Sequence, residues 1–503
     1  MTGKPMKRGG SRVFLIENRA GAFNTPELLE NAVAGSLERT FGDVTSIEVP
    51  STEQRGKWDE VGEVVGADER PTVPLTVKRM LSVSRLFELA QIGCAFDVQI
   101  HMGACKNPSD FRNGWSDGLV WILESARITG ITTEELGAMM QEDDDSINEE
   151  GTISAREYYE VVPLTYSEKA ANEVAQEIIA IQVCDLVSCG DCDDPSNGCK
   201  RVFAVSAPAG SSPGLLPEVV YTDDGFVTSP GETTIDTLDI GEDPDDLTCS
   251  GEYLIIVSED SVSHHYANKD DILAGTETWA EITSGYVASK GPRAVDSSSP
   301  THIWLLGAGG YIYFTDDPTA STVTVQDAGA LTTEDFNDVY AFDNENVVGV
   351  GDNNAVVYTT DGENWASVTG PSVGVNLNAV LMVKEKEWLV GDAGGQLWHT
   401  DDRGSTWTER TFPGSGSGSV EDLVAASDSV FYMSHTTSGT VARILRSISG
   451  GFYWNAEPQT GSGSMPAADR FNGLAVCWRE PNVVFAGGLG DDAADGIIVK
   501  GTK

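Results

Sequence analysis

The chain has 503 residues, with 32 basic against 78 acidic side chains and a formal net charge of −46. That length exceeds one ordinary core and implies two or more domains, and the charge excludes a surface that grips nucleic-acid phosphates. No run of 18 apolar residues is present to span a bilayer, and the four apolar residues before Glu17 are too short for a secretory signal, so neither membrane insertion nor signal-directed export is expected.

Residues 1–170 carry alternating strand patterns: "GKWDEVGEVVGADERPTVPLTVKRML", "FDVQIHMGA", "LVWILESARITGI" and "AREYYEVVPLTYS". One helix is predicted at 82–93, with Val83, Leu86, Phe87 and Ala90 on one face and Gly93 as its stop. Residues 25–41 read as helix or loop, and the acidic 141–151 as an exposed loop. The expected assembly is a β-sandwich or barrel with a single helix. Cys94, His101 and Cys105 surround a strand and read as buried structural residues.

Four of the eight cysteines, Cys184, Cys189, Cys192 and Cys199, fall within 16 residues. Three readings stand side by side: a tetrahedral structural zinc, disulfides within the loop, or free thiols. Asp191, Asp193, Asp194 and Asn197 offer oxygen ligands for calcium, though not at EF-hand spacing. No phosphate loop, HExxH or GxSxG motif is present. His264 and His265 are neighbours on a strand and are expected to face opposite sides.

From about residue 171 the chain repeats. Units at 338–365, 379–407, 422–454 and 473–501 share three short strands separated by tight turns, and 253–271 and 301–318 are degraded copies. The turn acids Asp317, Asp361 and Asp402 are 44 and 41 positions apart, the pitch of four-stranded propeller blades. Seven blades fit residues 171–503, with "EVAQEII" (173–179) expected to supply the last blade's outer strand and close the ring. The turn Thr400-x-Asp402-x-Gly404-x-Thr406-Trp407 has a shortened copy at Thr359, Asp361, Gly362 and Trp365. A further copy at Ser447, Ser449, Gly450 and Trp454 has Ser for the Asp. Asp accepts backbone N–H bonds in such a turn, and Gly takes a shape other residues resist.

These hairpins resemble the Asp-box repeats of sialidase-like propellers. The resemblance implies a structural role for them and does not extend to catalysis, because the arginine clamp of sialidases has no match here. Arg403 and Arg446 lie at hairpin turns and are expected on the blade periphery. With 78 acids the sequence leaves open a glycosidase carboxylate pair of another kind.

The segments "VGADERPTVPLTVKRMLSVSRLFELAQIGCAFDVQIHMGACKNPSDF" and "ARITGITTEELGAMMQEDDDSINEEGTISAREYYEVVPLTYSE" resemble the tail tube (major tail) proteins of phages and archaeal viruses. This resemblance implies a non-enzymatic virion subunit, assembled in the host cytoplasm into stacked hexameric rings that pass genomic DNA without specific binding. Its partners would be further copies of itself, other tail proteins and host surface glycans. An acidic wall suits a DNA channel, and the acidity also suits a halophilic host. Two alternatives are a glycan-binding or glycan-cleaving adsorption protein and a cellular propeller assembly factor.

Overall fold

The computed structural model describes residues 12–16, 43–47, 51–58, 64–80, 96–102, 119–133, 146–155, 157–169, 176–184, 200–207, 216–238, 242–371, 373–437, 441–457, 465–478, 480–490 and 496–503. The expected helix at 82–93, the segment 25–41 and Cys94, Cys105, Cys189, Cys192 and Cys199 lie outside them. The chain divides into two units, Met1–Pro163 and Leu164–Lys503.

Among the described residues the first unit contains eight strands: β1 (Arg12–Ile16), β2 (Asp43–Ile47), β3 (Ser51–Trp58), β4 (Val64–Met80), β5 (Phe96–Met102), β6 (Leu119–Thr133), β7 (Ser146–Ser154) and β8 (Glu157–Val161). Their order is β1-β5-β6-β7-β4-β2, with β3 on β4 and β8 on β6, and all pairs described are antiparallel. The 17-residue β4 serves three partners along its length, with β2 beside Leu75–Lys78. From Thr72 to Met80 it pairs with β7, and from Val64 to Thr72 with β3. Among the described residues the β3–β4 ribbon therefore runs on past the sheet, over eight paired positions, or about 27 Å at a strand's rise.

The acidic segment expected as a loop is corrected here. Its residues from Ser146 onward belong to β7, with Asn148, Glu149 and Glu150 opposite Lys78, Val77 and Thr76 of β4. Pairing on both sides, to β4 and β6, overrides the local preference of acids for turns.

The second unit is seven four-stranded antiparallel sheets in sequence order: blade 1 (178–234), blade 2 (246–282), blade 3 (292–328), blade 4 (336–369), blade 5 (377–410), blade 6 (419–456) and blade 7 (468–502). In blades 1 to 6 the strands follow one another from the innermost to the outermost. Second strands are buried over most of their length, and wholly so in Val202–Ser206 and Val347–Gly351, because each is covered on both faces by neighbouring blades. Outer strands such as Trp365–Thr369 alternate toward solvent. The apolar clusters lie between blades: Leu306 with Phe336 and Val357, Val350 with Val380 and Val390, Ile178 with Phe485 and Ile498. Gly349 and Gly487 permit this approach, since a Cβ there would collide with Leu306 and Ile178 of the adjoining blades.

Ring closure differs from the expectation. Blade 7 takes its outer strand from β9 (Thr165–Glu168), not from 173–179. Tyr166 pairs with Gly501 and Glu168 with Val499, and the Lys169 N–H reaches the Ile498 carbonyl at 2.8 Å. Pro163 explains where "AREYYEVVPLTYS" is cut: it has no N–H for a ladder and separates β8 from β9. Ile178 and Ile179 instead begin the innermost strand of blade 1.

Beside this closure sits a buried ion pair. Arg446 and Glu457 of blade 6 meet at 2.9 Å with side chains 1% and 7% exposed. Arg446 also donates to the Tyr432 hydroxyl at 3.3 Å, and that hydroxyl donates to the Pro481 carbonyl of blade 7 at 2.7 Å. Burial raises the Tyr166 phenol well above its ordinary range, and the Glu457 carboxylate beside it adds to the effect. The arginine expected on the periphery is thus inside the closing seam. Arg446→Met leaves the Glu457 charge buried without its partner and is expected to cost about 3–5 kcal/mol in denaturant unfolding. The double variant Arg446→Met/Glu457→Met should recover most of that loss.

Candidate functional site: the axial channel and its seams

The innermost strands surround an axial channel of about 230 Å³ lined by Asp245, Asp246, Asp296, Asp338, Glu421 and Asp422 among its polar groups. No arginine or lysine is in its lining. Four of these aspartates share one bonding pattern, accepting the N–H of the following residue and another from the next blade. Asp246 takes Leu247 at 2.7 Å and Val295 at 2.9 Å. Asp296 takes Ser297 and Ala341, both at 2.8 Å. Asp338 takes Val339 at 2.7 Å and Val380 at 2.6 Å, and Asp422 takes Leu423 and Leu474, both at 2.6 Å. They staple seams 2/3, 3/4, 4/5 and 6/7.

Asparagine serves the other polar seams. Asn378 donates to the Ser419 hydroxyl at 2.8 Å and the Val420 carbonyl at 3.3 Å across seam 5/6. Asn472 donates to Glu177 at 2.8 Å and the Ile178 carbonyl at 2.7 Å across seam 7/1. Asn337 adds a bond to the Leu377 carbonyl at 3.1 Å in seam 4/5. Seam 1/2 is held otherwise: Cys184, at the end of the innermost strand of blade 1, is bonded to Cys249 in that of blade 2, with Cα atoms 5.8 Å apart. The chain-entropy model assigns about 4 kcal/mol to a bond across a separation of 65 residues.

Burial dominates the channel's acid–base behaviour. It pushes Asp246 up to about 8 and Asp296 and Asp422 to about 6, against the lowering effect of their backbone N–H bonds. Burial, with repulsion from Asp422, raises Asp338 as well. Asp245 rises to about 7 by burial, opposed by the Glu259 N–H and Arg293.

The residues singled out in the sequence lie in the hairpins between third and fourth strands of blades 4, 5 and 6. Thr400 donates to Asp402 at 2.8 Å, and Asp402 accepts the Thr406 N–H at 2.8 Å and hydroxyl at 2.7 Å. Gly404 has φ +77° and donates to the Thr400 hydroxyl at 2.9 Å, while Trp407 bonds the Thr369 carbonyl of blade 4 at 3.0 Å. In blade 4, Asp361 accepts from Thr359 at 3.1 Å and from the Asn364 N–H at 2.7 Å; Gly362 has φ +72°, and Trp365 donates to Gln326 at 2.8 Å. In blade 6, Ser447 accepts the Gly451 N–H at 3.0 Å, Gly450 has φ +64°, and the buried Trp454 indole donates to the Gly451 carbonyl at 3.0 Å.

Two further turns are of this kind: Thr315 with Thr319 and the turn acid Asp317 in blade 3, and, unnamed in the sequence, Thr222 with Asp224 and Thr228 in blade 1. Their signal is a Thr-x-Asp at the end of each third strand. Hydrogen bonds from Thr228, Thr222 and two backbone amides hold Asp224 down at about 2 despite the opposing effect of its partial burial. Bonds from Asn364 and Glu363 hold Asp361 well below the usual carboxylate range.

The cysteine expectation is corrected in part. Cys184 is joined to Cys249, outside the quartet, so it has no thiolate for a zinc site with Cys189, Cys192 and Cys199. Cys477 of blade 7 is also disulfide-bonded. Among the described residues no group of three or more His, Cys, Asp and Glu side chains could hold a metal ion. His264 and His265 face opposite sides: His264 bonds Tyr286 at 2.8 Å and the Pro318 carbonyl at 3.1 Å, and His265 bonds Thr237 at 2.8 Å and Ser263 at 2.9 Å.

Seven four-stranded blades around this channel, with the last completed by a strand from earlier in the chain, define a seven-bladed β-propeller. No family model matches the sequence, and no curated protein does. Solved structures are similar in fold. Virginiamycin B lyase from Staphylococcus aureus is 12% identical, with 68% of this chain and 99% of that one covered and a TM-score of 0.51. Streptogramin B lyase is 11% identical over 68% of this chain and 98% of its own, with a TM-score of 0.51. YCF48 from Cyanidioschyzon merolae is 15% identical over 67% and 98%, with a TM-score of 0.48. At these identities the likeness is one of fold, and the lyases among them mean that the fold alone does not decide for or against catalysis.

The two sets of aspartates act on stability in opposite directions. Channel carboxyls with raised pKa values keep protons that the unfolded chain has lost, so stability falls as pH rises from about 4 toward 8. Turn carboxylates with lowered values stabilise above about 4, and that contribution disappears as pH falls toward 2. Thermal unfolding at fixed salt should therefore show its maximum at mildly acidic pH; a maximum at pH 8 or above would contradict the assignment. Asp422→Asn loses one backbone N–H acceptor, with an expected cost of about 1–3 kcal/mol, and should flatten the decline above pH 5.

Proposed function

We propose that this is a virion structural protein: a tail tube subunit whose first unit assembles into stacked hexameric rings, with the propeller displayed on the tail exterior. In this reading the first unit is a tube-type β-sandwich, and the hairpin turns of the propeller are Asp-box turns with a folding role. The observation that carries it is the β3–β4 ribbon. Among the described residues these two strands have no further sheet neighbour; such a pair is marginally stable in water, and an arm of about 27 Å has a reason to exist when another copy covers it.

The charge supports the same reading, since a surface at −46 lets DNA pass without adhering. A non-enzymatic propeller agrees with the use of Asp246, Asp296, Asp338 and Asp422 as backbone acceptors, which leaves these four committed to the seams. Negative-stain electron microscopy of the purified chain in molar salt should show rings or tubes. A monomer at high concentration in that salt would contradict the proposal, and turnover of a glycoside, lost on changing one carboxylate, would favour the adsorption-enzyme alternative. Removing the ribbon tip, residues 55–66, should abolish assembly while leaving the propeller's thermal transition in place.

A further inference from the structure

Six of the seven seams carry an Asp or Asn bond from an innermost strand to the next blade's backbone, and seam 1/2 has none among the described residues. Its innermost strands are joined by Cys184–Cys249 instead. Other contacts cross the same seam beside the bond. Phe203, Val205 and Val219 of blade 1 pack with Leu247, Leu254 and Ile256 of blade 2. Arg201 meets Asp270 at 3.0 Å across the same seam. The connection between these blades supplies Thr237, which bonds His265 of blade 2. The two cysteines differ in access: Cys184 is 2% exposed, whereas Cys249 is half-buried.

We propose that seam 1/2 is a redox-operated lock: the propeller closes with Cys184 and Cys249 as thiols, and a low-molecular-weight disulfide then seals the ring without changing its fold. The more accessible Cys249 thiolate attacks one sulfur of the small disulfide, forming a mixed disulfide and releasing a small thiolate. The Cys184 thiolate then attacks the Cys249 sulfur and expels the second small thiolate. The protein gives up two electrons and two protons; the small disulfide is reduced to two thiols. A ring closed in a reducing compartment is thereby sealed on reaching an oxidising one. The lock does not depend on the virion reading.

The test compares the full chain after incubation with dithiothreitol and after incubation with oxidised glutathione, at equal salt. Alkylation with mass mapping assigns the state of Cys184, Cys249 and Cys477. Both forms should give the same near-ultraviolet circular dichroism, and the oxidised form should unfold in guanidinium at least tenfold more slowly. Cys184→Ala/Cys249→Ala should unfold at the reduced rate under both conditions. Two results would overturn the lock. One is a reduced wild-type chain that lacks native dichroism, which makes the bond a folding requirement. The other is a redox-dependent rate that persists in the double variant, which assigns the effect to Cys477. Should the double variant not fold, Cys249→Ser takes its place with the same expected rates, and equal oxidised and reduced rates of the wild type contradict the proposal.

Discussion

Each blade of this ring buries its apolar faces against two neighbours, so no blade is complete alone and the ring has to close. The physical burden falls on the seams. Apolar clusters fill the space between blades, but apolar contact is non-directional and does not fix how one sheet is set against the next. The aspartates and asparagines of the innermost strands supply that direction. Each reaches a backbone group of a neighbouring blade at a defined position. The carboxylates are acceptors in a channel with no basic lining, and their raised pKa values are the cost of standing there. In blade 7 β9 supplies the last strand, and the buried Arg446–Glu457 pair of blade 6 stands beside it.

Much of the propeller was legible in the sequence because its signals are local and repeat. Asp361 and Asp402 report turn chemistry within a few residues, and their spacing reports the blade pitch. The closing strand was not legible, because "TYSE" has no pattern distinguishing it from the strand before Pro163; its pairing with Gly496–Thr502 is more than 300 residues away. The bond between Cys184 and Cys249 was missed for a related reason. Three other cysteines lie within 15 residues of Cys184, and sequence proximity favoured a local cluster over a partner 65 residues on. The seam aspartates left a readable trace, an acid inside an apolar strand at 296, 338 and 422, separated by 42 and twice 42 residues. That trace was hidden by the abundance of acids elsewhere.

The two units bear differently on function. In the propeller four of the channel aspartates are committed to holding blades together, and the hairpin residues to holding turns. Among its described residues the first unit contains a two-stranded ribbon that extends beyond the rest of its sheet. The proposed assembly gives that ribbon a partner and gives the negative charge a use.

Closure by β9 is the claim on which the ring depends, and hydrogen exchange tests it directly. The amides of Tyr166, Glu168 and Lys169, paired with or bonded to the last strand of blade 7, should be protected to the same degree as those of Val484–Gly490 in the interior of that blade. Exchange of 165–169 at the rate of an unpaired segment, with 484–490 still protected, would contradict the account.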